Sequence, residues 1–278
     1  MNDDPAHFEE NDEYRSAFIR RLTLGQIARN EVNRRLPAAS ITARIPRTLI
    51  RYWHDEYNVP NDVRACLDSW ECLRDEGFEI LTFNDISAAA YISHRFGSQE
   101  FEAFGRCRHP AMRCDYFRMC YMLIDGGFYV DADDVLIGEF WQTLFADNKL
   151  KLNPLCYDVP SGGMVPSAEI WRADLLTEGC IFYVNNNPLV APAGHSVLRR
   201  ALGRATGLLL GDDASPEIQS TTGPGNLSAA LVAHARMCEE QGAQYDFALL
   251  QNWDDIAETR WDLSYRADDR NWRNMNER

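Results

Sequence analysis

The chain has 278 residues, 45% of them apolar, enough to bury a sizeable core in one large α/β domain or a domain with a small helical addition. Its 42 acidic against 28 basic residues leave a formal charge of −14, which argues against binding nucleic acid through the phosphate backbone. No run approaches the roughly 20 apolar residues of a membrane span, and the acidic start Met1-Asn2-Asp3-Asp4 lacks the basic and apolar regions of a secretory signal, so a cytoplasmic protein with reduced thiols is expected.

In chain order, Phe8 to Leu36 is charged and free of proline, which predicts one or two helices before Pro37-Ala38-Ala39-Ser40 breaks the pattern. Residues 1–43 therefore read as a helical extension that packs on a main domain, residues 44–278, or reaches outward to a substrate. Thr48 to Trp53 reads as the first strand. Val63, Cys66, Leu67, Trp70 and Leu73 fall on one helical face, with Asn61 or Asp62 as cap and Gly77 as stop. Phe78–Phe83 follows as a strand and Ile86–Phe96 as a helix. This alternation predicts a mostly parallel sheet with helices on both faces, a Rossmann-like α/β fold whose ligands bind at the carboxyl ends of the strands. Trp53 and Asp131 both belong at such ends.

From Ala111 to Asp125, Met112, Tyr116, Met119, Cys120 and Leu123 recur at helical spacing, with Asp115 and Arg118 on an adjoining face. Gly126-Gly127 ends that helix, and Phe128-Tyr129-Val130 resumes as a strand leading into Asp131-Ala132-Asp133-Asp134. In an extended strand residues i and i+2 point the same way, so Asp131 and Asp133 are expected to face one hard cation together, leaving most of its shell open for phosphates. A solvated acidic turn is the bland alternative. Eight cysteines contain no CxxC and six histidines no closely spaced pair, so no zinc site is expected.

The stretch Ala111-Met112-Arg113-Cys114-Asp115-Tyr116-Phe117-Arg118, followed by Gly126-Gly127-Phe128-Tyr129-Val130-Asp131-Ala132-Asp133, resembles the DxD-containing sugar-transferase family, glycosyltransferases of the GT-A fold, with Cys114 where the family carries a small hydroxyl residue. The resemblance is to glycosyltransferase family 32 and, distantly, to the clostridial glucosylating toxins. Ile45-Pro46-Arg47 through Trp53 is similar to the family's opening strand. Asn185-Asn186-Asn187 with Gly194-His195 is similar to its asparagine and histidine near the sugar. Thr222-Gly223-Pro224-Gly225 resembles its turn before a helix, and Asp268-Asp269-Arg270-Asn271-Trp272 lies where relatives carry a C-terminal ligand loop.

The resemblance implies a hexosyltransferase that uses a nucleotide-sugar, UDP-hexose foremost, with Mn²⁺ or Mg²⁺, acts on a hydroxyl-bearing acceptor and retains anomeric configuration. It implies Asp131, Asp133 and Asp269 as metal ligands. Trp53 would stack on the base, and Tyr129, Arg113, Asn186 and Trp272 would line the donor site. Asp115 would hold sugar hydroxyls and Arg118 the leaving phosphate. Core packing for Trp53 and Tyr129, a surface ion pair for Arg113 and an Asp115–Arg118 pair are the structural alternatives. Asp134 is expected as a helix cap or a support behind the ligands.

Two other functions stay open on the residues alone. Asp131-Ala132-Asp133-Asp134-Val135 satisfies the nucleophile pattern of a haloacid-dehalogenase-like phosphatase, although the chain's only lysines, Lys149 and Lys151, follow too soon to serve that chemistry. A nucleotide-sugar-binding protein without turnover is the other.

Overall fold

A seven-stranded sheet organises the computed structural model, which describes residues 8–33, 44–212 and 217–277. Its strands are β1 (Thr48–Tyr52), β2 (Glu79–Phe83), β3 (Gly127–Tyr129), β5 (Leu150–Asp158), β6 (Gly163–Met164), β7 (Cys180–Ala191) and β8 (Phe247–Leu249). They run in the order β2-β1-β3-β7-β5-β6, with β8 also on β5. β1 is parallel to β2 and β3, and β8 to β5; β7 opposes both β3 and β5, and β6 opposes β5. Five strands thus point one way and β6 and β7 the other, as the strand-helix alternation predicts. A separate pair, β4 (Asp134–Leu136) and β9 (Ala257–Thr259), flanks the sheet.

Alternation along the strands divides the core in two. Ile50, Tyr129, Leu189 and Ala191 face one cluster, while Leu49, Phe128, Val130 and Val190 face another. Helices α3 (Asp85–Arg95), α4 (Ser98–Arg106), α5 (Pro110–Ile124), α6 (Ser196–Leu210) and α8 (Pro224–Glu240) contribute to the first. Trp70, Leu73, Trp141, Leu144, Trp253 and Ile256, largely on short 3-10 turns, fill the second. Among the described residues no helix is long and apolar enough to cross a membrane.

Helix α1 (Asp12–Asn33) packs against the sheet and α8: Phe18, Ile19 and Leu22 lie in the main core, and the Arg20 guanidinium donates to the carbonyls of Ile170 and Arg172. The expected Pro37–Ser40 break lies outside the described residues. α2 (Asn61–Asp68) is shorter than the apolar spacing predicts, and a 3-10 turn, Glu71–Arg74, takes its last turn. The break serves β4: Ser69 Oγ accepts Leu136 N–H at 3.0 Å, and Trp70 Nε1 donates to the Asp134 carbonyl at 2.9 Å. Pro60 stands at the N-cap position, while Asp62 Oδ1 accepts the first-turn Val63 N–H at 2.9 Å and the same carboxylate also holds the C-terminal segment.

Candidate active site

Helix α5 carries the cationic half of the site. Pro110 occupies its first turn and His109 Nδ1 accepts the Ala111 N–H at 3.0 Å, fixing where it starts. It stops at Asp125 because Gly126 (φ +68) and Gly127 (φ +123) occupy backbone regions side chains rarely adopt. A Cβ on Gly126 would also lie 2.7 Å from the Ala191 carbonyl oxygen. This break lets β3 run back past α5, so Arg118 and Asp131 meet.

Arg118 is the hub. Nη2 lies 2.8 Å from Asp131 Oδ1, 3.1 Å from Asp115 Oδ1 and 3.2 Å from Cys114 Sγ, while Nη1 donates to the Asn186 carbonyl at 2.9 Å. The guanidinium stacks 4.3 Å above the fully buried Tyr129 ring, whose hydroxyl donates to Asp131 Oδ1 at 2.9 Å. Burial works against its charge, and Asp131, Tyr129, Cys114 and Asp115 more than compensate, raising it above its ordinary value. Asp115 also accepts Asn186 Nδ2 at 2.9 Å and, at 3.4 Å, the hydroxyl of Thr222 in the turn before α8. Burial, only partly opposed by Arg118, pushes its carboxyl up to about 7.

Asp131 and Asp133 do not sit in an extended strand. The ladder ends at Val130, and Asp134 N–H bonds to the Asp131 carbonyl at 3.2 Å, closing a turn over residues 131–134. Asn187, which sequence reasoning passed over, holds both sides of it: Oδ1 accepts Asp131 N–H at 3.0 Å and Nδ2 donates to Asp134 Oδ2 at 2.7 Å. Asp134 is a buried strand residue rather than a helix cap, and it also accepts the Thr259 hydroxyl at 2.6 Å. Burial and its acidic neighbours Asp133 and Asp131 push it up to about 8.

Asp133 accepts the Tyr265 hydroxyl at 2.7 Å and the Arg266 guanidinium on Oδ2. Burial and Asp131 raise its carboxyl, with Arg266 and Tyr265 opposing. Both contacts come from the C-terminal segment, which Asp62 anchors by accepting Ser264 N–H at 2.6 Å. Sequence reasoning missed Tyr265 and Arg266 because it sought a ligand at Asp269. Asp269 is exposed, and its described contact is a carbonyl 2.9 Å from His109 Nε2. Trp272 is half-buried beside Arg273, 5.4 Å from ring to guanidinium.

Trp53 lies under the same segment, 7% exposed, with Tyr265 edge-on at 5.3 Å and Ala132 and Leu263 in its apolar cluster. Arg113 turns away to an ion pair with Asp85 at 2.9 Å. His195 is at the other end of the sheet: β7 opposes β3, pairing Tyr129 with Leu189 and Gly127 with Ala191, so the chain has left Asp131 behind before it reaches His195.

The donor set suits a hard divalent cation, since Asp131 and Asp133 offer oxygen only. Each accepts on one oxygen, and among the described residues no hydrogen bond between side chains reaches Asp131 Oδ2 or Asp133 Oδ1. Three acids within four residues, two raised by burial and mutual repulsion, add an excess of negative potential that a cation would relieve.

No family model matches the chain, and no curated protein matches it. Among solved structures it is similar to one described as "PaToxG Glycosyltransferase", at 13% identity and a TM-score of 0.46, over 87% of this chain and 94% of that one.

Proposed function

We propose that the protein is a metal-dependent glycosyltransferase of the GT-A type that moves a hexose from a nucleotide-sugar, a UDP-sugar foremost, to a hydroxyl acceptor with retention of configuration. The observation that carries this reading is the pairing of Arg118 with Asp131 at 2.8 Å, in a turn that also holds Asp133. It puts a fixed cation beside Asp131 at the end of β3, where sheets of this kind take their ligands, with Asp133 in the same turn. Mn²⁺ or Mg²⁺ held by Asp131 and Asp133 would supply charge neutralisation for a leaving diphosphate.

The chain's own groups have distinct tasks in this reading. Arg118 keeps Asp131 oriented, and its buried positive charge favours negative charge growing nearby. Asp115, held by Asn186 and Thr222, offers carboxylate oxygens to sugar hydroxyls. Asn187 fixes the turn through both of its side-chain atoms. Trp53 takes the base once Tyr265 moves off its ring. The phosphatase reading lacks support from its lysine, because Lys151 is buried against Asp147.

Incubation with a panel of nucleotide-sugars and Mn²⁺ tests the proposal. EDTA-sensitive release of UDP from one donor is the expected result. Absence of both donor hydrolysis and UDP binding across the panel would overturn it.

A further inference from the structure

At the end of the sheet away from Asp131, α8 carries His234 and Cys238 four residues apart, so they share a helix face. Asp246, the residue before β8, closes the group: its Oδ1 is 2.7 Å from His234 Nε2, and Cys238 Sγ is 3.6 Å from the same nitrogen. Ligand atoms of all three lie within 4.8 Å of one another. His234 and Cys238 are buried, whereas the Asp246 side chain is 46% exposed, which gives solvent and ions a way in.

We propose that His234, Cys238 and Asp246 form a site for Zn²⁺ or a similar borderline-soft divalent cation, with water as fourth ligand, that pins α8 to β8. Tetrahedral zinc with bonds of about 2.0–2.3 Å sets its ligand atoms roughly 3.3–3.6 Å apart. The sulfur-nitrogen separation already has that value, and the histidine-aspartate pair needs to open by only about half an ångström. A mixed sulfur, nitrogen and oxygen set selects against Mg²⁺ and Ca²⁺, in contrast with the all-oxygen pair at Asp131 and Asp133.

The two histidines around Asp246 divide their roles by tautomer. His195 Nδ1 accepts Val197 N–H at 3.2 Å, so Nε2 carries the proton toward Asp246, 3.2 Å from its carbonyl oxygen and 3.5 Å from Oδ2. His195 is thereby an orienting donor and no ligand. His234 is turned with Nε2 toward Asp246 and Cys238, while its Nδ1 has no partner among the described residues, so Nδ1 can carry the ring proton when a cation takes Nε2. The histidine-only spacing considered in the sequence overlooked this group because its pair is a histidine and a cysteine.

The test uses the full chain, stripped with EDTA and titrated with Co²⁺ and then Zn²⁺. One equivalent of Co²⁺ at micromolar concentration should produce a cobalt–thiolate charge-transfer band that Zn²⁺ abolishes. The band should persist in Asp133→Asn and vanish in Cys238→Ser and in His234→Gln. Zn²⁺ should also raise the Tm of Asp133→Asn. Absence of the band in the wild-type chain, or its survival in either folded Cys238→Ser or folded His234→Gln, would overturn the site.

Discussion

Arg266 places its guanidinium on Asp133, a residue 133 positions earlier in the chain. The pair is well covered, with side-chain exposures of 16% and 14%. A positive group from the C-terminal segment thus already occupies one of the two acids proposed to hold the metal, and Tyr265 shares the same oxygen. On the proposed function, entry of a cation with a nucleotide would displace this contact or share Asp133 with it.

Arg266→Ala is accordingly expected to bind Mn²⁺ more tightly in the absence of nucleotide. Taking the net worth of this largely buried pair as about 1 kcal/mol, the gain should be roughly fivefold. Calorimetric titration with Mn²⁺ measures it. Unchanged or weaker affinity would show that Arg266 does not compete for Asp133.

Asp133→Asn should remove metal-dependent turnover while the protein stays folded. Loss of a charged ligand at a diphosphate-bound cation is expected to cost about 10²-fold or more in rate, and EDTA on the wild type should act in the same direction. Near-normal activity in the folded variant would end the assignment.

Trp53→Ala should weaken UDP binding about 10- to 100-fold, because base stacking is typically worth about 1–3 kcal/mol. Its burial adds a second expectation, a stability loss of roughly 3 kcal/mol from the cavity left beside Ala132 and Leu263. The two effects separate by calorimetry with UDP and Mn²⁺ on the still-folded variant, alongside its melting curve. A lowered Tm with unchanged UDP affinity would leave Trp53 as core alone.

The local segments of this chain were legible because each obeys one dominant rule. Gly126-Gly127 demands positive φ, α5 shows helical apolar spacing, and Leu49–Trp53 is a buried run. The Asp131–Asp134 segment reads as extended strand from sequence because what bends it is remote: Asn187 reaches it from β7, and no local pattern announces that contact. Arg266 and Tyr265 escaped for the same reason, since their register over Asp133 depends on Asp62 and β9. His195 went the other way. A local spacing drew it toward the sugar site, while the antiparallel direction of β7 carries it to the far end of the sheet.

Asp115 makes stability depend on pH. Its carboxyl is pushed up to about 7 in the fold, above the unfolded value of about 3.9, so the folded state binds the proton more tightly. The sign follows: this contribution is fully present below about pH 4 and is lost as pH rises through 7. Asp115→Asn keeps the contacts to Asn186 and Thr222 without the charge, so its Tm relative to wild type should climb between pH 5 and pH 8. At roughly 2 °C per kcal/mol for a chain of this size the climb should reach several degrees. A pH-independent gap in melting curves recorded with EDTA would contradict it.

Arg118 distinguishes the catalytic account from the purely structural one. Removing it outright leaves Asp131 and Asp115 facing each other without a cation, and Arg118→Ala should lose about 3–5 kcal/mol of stability. Arg118→Lys is the sharper probe, because it keeps the charge and gives up the fork that reaches Asp131, Asp115 and the Asn186 carbonyl at once. If Arg118 favours charge that grows on the leaving phosphate, Arg118→Lys should lower single-turnover donor cleavage on the order of 10²- to 10³-fold while UDP affinity changes little. If it only braces the fold, Tm should fall and cleavage by the folded fraction should stay near the wild-type rate. Preserved cleavage in folded Arg118→Lys would therefore take this residue out of the reaction and leave it as the brace that holds Asp131 in place.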